Sequence, residues 1–341
     1  MIGVTILLVY YSTLGTIGIV LNALLLYLSI FRTPSQIKTY RILIINFALT
    51  DMLSSFLMMF IAPRIIPLNF SMAHIFYGLA HYTGPVACYA FYSALLHLFL
   101  HSMWSLLLSF AYRTYILSSA PPSNSKVVLF NILIYIPSFV QFIVFMFTAA
   151  DPNVIIEKLQ NKFPSYEFDY TTVSGISNAL SPAAVFSILN LTLPVFPIYT
   201  AILVLRRKIL VRLGKNTEHL RLETRIIHRQ LLKALTCQAC LPILFLCGTF
   251  IFFIQAIQLV ESPILECLIC VVPAPIPILS SITSLYHIGP YRRALFQMFS
   301  RIALPAPTNE RHSSAVVLAP NHKVSVLSIS RLYRLSIPNN A

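Results

Sequence analysis

VTILLVYYSTLGTIGIVLNALLLYLSIF, residues 4–31, contains no Asp, Glu, Lys, Arg or His; the first such residue is Arg32. A helix that crosses a bilayer needs about 20 mostly apolar residues, and in lipid it must satisfy its own backbone hydrogen bonds. This stretch meets both demands, and the pattern recurs. Residues 42–62 carry no charge except Asp51, and 65–112 carry no Asp, Glu, Lys or Arg. The first part of that run, with Pro67, Asn69 and Ser71, reads as a loop, and the span reads as 84–112. Further spans read at 127–148, 182–205, 234–259 and 267–288. A transmembrane barrel would instead alternate apolar and polar residues over segments of about 10. These runs are continuous, so the expected fold is an all-α seven-helix membrane bundle over residues 1–302.

Composition agrees. Of 341 residues, 57% are hydrophobic and 10% charged, against about 25% charged in soluble domains. That excludes a soluble globular chain, and the hydrophobicity excludes a disordered one. Net charge is +14, with 24 Lys and Arg. Only Arg64, Lys158 and Lys162 fall on one side of the seven spans; the other 21 fall on the opposite side. Basic loops stay in the cytoplasm, so the N-terminus is expected outside and the C-terminus inside. The basic charge thereby reads as topology, not as a nucleic-acid surface. No basic region precedes the first apolar run, so that run reads as a span and not a cleaved signal.

Polar groups inside spans are costly and each needs a reason. Asp51 is the only acid deep within a span, with Asn22 at similar depth in the first span and Asn46 five residues before it. Such a group can bind a sodium ion or proton and bias two helix packings, or it can be a structural polar knot. His97 and His101 share a helix face at i, i+4; this reads as polar core or cavity lining, and no further ligand points to a metal. Tyr89, Tyr92, Ser93, His97, Gln255, Gln258 and Glu266 are candidate walls of a ligand cavity in the outer half, or ordinary interhelical packing. Asn69-Phe70-Ser71 is a glycosylation sequon on an outer loop. Pro137, Pro194, Pro197, Pro242, Pro273, Pro275 and Pro277 lie in spans four to seven, where proline kinks helices and opens hinges.

The Gly18-x-x-x-Asn22 pattern, the run Asn46 to Asp51, Phe110-Ala111-Tyr112-Arg113 at the end of the third span, and Pro290-Tyr291-Arg292-Arg293 after the seventh resemble rhodopsin-like G-protein-coupled receptors. With Arg32 to Tyr40 and His97 through His101-Ser102 to Ser109, the order is most similar to the nematode serpentine chemoreceptors of class delta (Srd), over about residues 1–300. The resemblance implies a chemosensory receptor for an unknown small molecule, at the plasma membrane of sensory neurons and in their cilia. It implies no cofactor and no catalysis. A heterotrimeric G protein would meet Arg113 and the basic connection 206–233, which begins with Arg206, Arg207 and Lys208. A surface helix is expected over 291–302, and a disordered tail over 303–341.

Three departures stand out. Residues 149–181 hold no Cys, so the usual disulfide to Cys88 cannot form; Cys88 either meets Cys267 or, like the other five cysteines, is a small apolar packer. Tyr112 replaces the acid that usually precedes the third-span Arg, which puts an ionic latch in doubt. The seventh span lacks Asn-Pro-x-x-Tyr and any Lys. A ligand-gated channel like the insect olfactory receptors would have the reverse orientation, and a transporter would show internal repeats that this chain lacks.

Overall fold

The computed structural model describes residues 2–164, 172–215 and 222–303. The main compact unit is Met1–Phe299; of the second, Ser300–Ala341, only the last residues of the final helix are described. The tail 304–341 lies outside the described residues.

Among the described residues, seven stretches are long and apolar enough to cross a membrane, and the chain is a multi-pass membrane protein. The first four are single helices: α1 (Ile2–Phe31), α2 (Arg41–Ile61), α3 (Pro85–Ile116) and α4 (Asn124–Met146). The fifth is split into α6 (Pro182–Thr192) and α7 (Val195–Lys215), the sixth into α8 (Leu222–Gln238) and α9 (Pro242–Ala256), and the seventh into α10 (Pro263–Val271) and α11 (Ile276–His287). α12 (Gly289–Ala303) follows. Each split coincides with proline: Pro194, Pro242, and Pro273 with Pro275. Proline removes a backbone donor, which leaves carbonyls without helical partners. Neighbouring side chains supply some of the missing hydrogens. The Tyr199 hydroxyl donates to Ala239 O at 2.5 Å and the Tyr10 hydroxyl to Val271 O at 2.9 Å. Pro137 sits inside α4 without interrupting it.

The connection expected over 206–233 is mostly helical. α7 runs on to Lys215 and α8 begins at Leu222, because Ile209, Leu213, Leu231, Leu232 and Leu235 continue an apolar stripe that packs inward. Around the bundle, α2 packs on α1 and α3, α3 on α4 and α7, and α11 closes the ring against α1, α2 and α8. Outward-facing residues such as Ile6, Val9 and Val20 on α1 and Leu133, Ile136 and Phe139 on α4 are exposed and apolar. In water such a belt would drive association; in a bilayer it faces lipid. α12 docks Tyr291, Leu295 and Met298 on the inner end of the bundle, and the fully buried Tyr291 hydroxyl meets Thr33 Oγ1 at 2.8 Å.

The expectation of a loop after the second span is corrected. β1 (Pro63–Leu68) and β2 (Ser71–Phe76) form a hairpin about a turn where Asn69 has φ 57°, and β3 (Thr172–Ile176) from the connection between the fourth and fifth spans pairs antiparallel with β2. Pro67 argued for a loop, but β1 is the edge strand, where a missing N–H is tolerated. Strand side chains alternate between faces. Ile65, Met72, Phe76 and Ile176 pack down on the bundle core. Ile66, Leu68, Ala73, Ile75 and Val173 pack up against Ile155 and Leu159 of α5 (Pro152–Lys162). Asp151 caps α5 by accepting from Asn153 N at 2.9 Å. The connections after the second and fourth spans thus build a sandwiched cap over one end of the bundle.

Candidate functional site

Beneath the cap lies a cavity of about 120 Å³. Its roof is Ile65, Met72 and His74 of the sheet, and its walls come from α2, α3, α4, α6, α9 and α10, including Tyr92, Phe145, Thr249 and Cys270. No Asp, Glu, Lys or Arg lines it. Thr192 and Thr249 direct their hydroxyls to carbonyls of their own helices, Ile188 O and Phe245 O. His74 is 1% exposed, and its Nδ1 has no partner among the described residues. Its ring packs against Tyr92, with centroids 4.8 Å apart, and also against Tyr89 and Phe145. Burial pulls its pKa down from 6.5 to about 3, since desolvation disfavours the charged imidazolium.

Of the seven residues expected to wall a cavity, Tyr92 lines this one. The others are engaged elsewhere. Tyr89 shares a hydrogen bond of 2.6 Å with Thr148 and stacks on Phe145. Ser93 donates to Phe142 O at 2.9 Å, and His97 faces Tyr135 and Phe139 of α4. Gln255 donates to Ser262 O at 3.0 Å, bridging the turn between the sixth and seventh spans. Gln258 donates to Asn69 Oδ1 in the hairpin turn, which also accepts from Lys162. Glu266 accepts from Arg64 Nε at 2.9 Å and Nη2 at 2.5 Å, while Arg64 Nη1 donates to the Tyr77 hydroxyl at 3.2 Å. Burial alone would weaken the Arg64 charge, but Tyr77 and Glu266 outweigh it and raise its pKa. Gln258 and Glu266 therefore tether the cap to the bundle.

Cys88 is buried and donates to Ala80 O at 3.0 Å; all six cysteines are free, Cys267 included.

A smaller cavity of about 50 Å³ lies deeper, lined by Met103, Gln238, Pro242 and Ser280 among others. Phe99, Leu191 and Phe245 line both cavities and form the partition between them. The Phe99 and Phe245 rings are 5.7 Å apart. Below the partition, Gln238 Nε2 donates to Ser280 Oγ and Ser284 Oγ, both at 3.1 Å, and Ser280 lies beside the buried Asp51 carboxyl.

The polar residues expected to act together fall into separate clusters. Asn22 Nδ2 donates to Gly18 O at 2.9 Å and Pro277 O at 3.3 Å, joining the first and seventh spans. Asp51 meets Ser280 of the seventh span. Asn46 faces the opposite way. Its Nδ2 donates to Ser105 Oγ at 2.9 Å, its Oδ1 accepts from the Tyr135 hydroxyl at 3.3 Å, and its amide contacts His101 Nε2. The reason is helical: five residues turn a helix by about 500°, which puts Asn46 and Asp51 well apart on the α2 surface.

At the end of the bundle opposite the cap, Arg113 is 2% exposed. Its guanidinium lies over the Tyr40 ring, 4.2 Å from the centroid, and Nη1 donates to His228 Nδ1 at 3.0 Å. Among the described residues no carboxylate pairs with it. Arg207 and Lys208 are exposed on α7, and Arg206 is half-buried.

Comparison with known proteins completes the assignment. The model of the family described as "Serpentine type 7TM GPCR chemoreceptor Srd" matches residues 7–297. The chain belongs to the Srd family of serpentine chemoreceptors. Similar proteins include serpentine receptor class delta-18 of Caenorhabditis elegans, 39% identical over 84% of this chain and 86% of that protein. Serpentine receptor class delta-19 of the same nematode is 38% identical over 84% and 85%. Serpentine receptor class delta-2 is 33% identical over 82% and 80%. An Srd chain is a receptor with seven membrane spans, and the cap and the cavity beneath it are features of this one. Sequence reasoning missed His74, Met72 and the roof because residues 65–83 read as a loop. The alternation of Ser71, Ala73 and Ile75 with Met72, His74 and Phe76 was the available signal, and it is weak because both faces are buried.

Proposed function

We propose that this Srd receptor admits a small molecule into the cavity beneath its cap, changes the packing of its spans, and couples to a heterotrimeric G protein in sensory neurons and their cilia. The observation that carries this reading is the shared wall: Phe99, Leu191 and Phe245 border both the outer cavity and the inner one that reaches Gln238 and Ser280. An occupant above the partition has a direct packing route to Asp51 below it. Packed cores switch between discrete arrangements and do not deform continuously. Asp51 and Asn22, which both contact the seventh span, then form the switch, and Asn46 steadies the third and fourth spans beside it.

The charge asymmetry supports an outer cap and a cytoplasmic face with Arg113, Arg206, Arg207 and Lys208 toward the G protein. In that arrangement Tyr40 and His228 hold Arg113 in place of a carboxylate, and Asn69, exposed in the hairpin turn, is the glycosylation site. Epitope tags at Met1 and Ala341, stained before and after permeabilisation, test the orientation. Arg113→Gln should abolish basal G-protein activation at unchanged surface level. Full activation at equal surface level would refute the coupling role.

A further inference from the structure

We propose that the imidazole of His74, carried into the cavity roof by the cap, is the hydrogen-bonding anchor for an uncharged, largely apolar ligand of about five to seven non-hydrogen atoms. The proposal rests on the reading of the outer cavity as the ligand site and adds what that site selects.

Size comes from the volume. An apolar cavity of about 150 Å³ accommodates benzene, and this one is about 120 Å³. Charge is excluded by the lining: no ionisable carboxylate, ammonium or guanidinium faces the space, and an unpaired ion moved there would lose its hydration without compensation. Polarity comes from His74 in the roof, with the Tyr92 hydroxyl and the Cys270 thiol the other polar groups on the wall. Both threonines on the wall are already bonded within their helices. His74 is 1% exposed and hydrogen-bonds no described residue, and Nδ1 is buried without a partner. A buried polar group left unpaired is costly, so an occupant that pairs with it is favoured over one that cannot. The ring is held in place by Tyr92, Tyr89 and Phe145 packed against it. Neutral imidazole both donates and accepts, so an alcohol can pair with it in either tautomer.

The test uses the full chain in lipid nanodiscs, titrated with cyclopentanol, cyclopentane and cyclopentylamine, with empty nanodiscs subtracted. Burying a hydroxyl without a partner costs about tenfold or more in affinity. With the anchor, cyclopentanol should bind at least as tightly as cyclopentane, and the cyclopentylammonium ion should not bind. In His74→Phe the preference should move at least tenfold toward cyclopentane, whereas Tyr92→Phe should leave it unchanged; the reverse would refute His74 as the anchor. If the native chain already prefers cyclopentane tenfold, the anchor is refuted whether or not the variant folds. Binding of cyclopentylammonium as tight as cyclopentanol would refute the exclusion of charge. Thr249→Trp, which fills the cavity, separates this from failure of the underlying reading. If it removes binding of alcohol and alkane alike, the cavity is the site and the anchor stands or falls on their ranking. If no probe binds the native chain, or Thr249→Trp changes nothing, the cavity is not the site and both readings fail.

Discussion

His74 shows how one side chain can couple the cap to solution conditions. Its pKa falls from 6.5 when unfolded to about 3 when buried. Between these values the unfolded chain holds the proton and the folded chain does not, so stability falls as pH drops through that window. The slope contributed by one group is at most about 1.4 kcal/mol per pH unit. Melting curves of the native chain and of His74→Gln should therefore converge as pH falls from 6.5 toward 4, with the native chain losing stability faster. Parallel curves would mean that His74 is solvated. The other residue-scale prediction concerns the Arg64–Glu266 pair. Removing one partner of a buried ion pair costs about 3–5 kcal/mol, whereas replacing both by apolar residues can be neutral. Glu266→Ala should lower thermal stability by about 3 kcal/mol, and Arg64→Met with Glu266→Leu should recover most of it.

At the scale of elements, close backbone approach sets two packings. A Cβ on Gly175 would collide with Met72 O of the neighbouring strand, and one on Gly18 would collide with Ser55 Oγ on α2. Gly175→Val should open the β2–β3 ladder, read as faster amide exchange in β2 with little change in the spans. Gly18→Val should loosen α1 from α2, read as a lowered melting temperature of the whole bundle. Much of the helical architecture was legible because a bilayer imposes a crude rule, about 20 apolar residues per span. Asp51 and Asn22 were legible for the same reason, as polar groups that lipid does not tolerate alone, and Arg113 through the family resemblance at the end of the third span. Their partners were not, because Tyr40, His228, Ser280 and Gln238 come from distant elements and a helix reading gives no rotation of one span against another. The cap was hidden further still: β2 and β3 are about a hundred residues apart, and a strand buried on both faces shows no polar alternation.

For the whole molecule, the division of labour is vertical. The cap carries the polar roof, the apolar cavity sits below it, and proline breaks in spans five to seven surround the partition. All three broken spans border both cavities, together with α2 and α3, and their breaks are where hinge motion would be transmitted. The unbroken α1 to α4 form the firmer side.

The cap also has a history during synthesis. Its strands come from residues 63–76 and 172–176, so the sheet can close before the fifth span, which starts at Pro182, has left the ribosome. Its ionic tethers cannot, because Glu266, the partner of Arg64, and Glu261, the partner of Lys162, both follow the sixth span. The clasp between Arg64 and Glu266 therefore closes only when the seventh span arrives, and an unclasped cap marks an unfinished chain. Pulse-labelled chains sampled with protease should acquire protection of residues 63–76 in two steps, the second delayed until span seven is inserted and missing in Glu266→Ala.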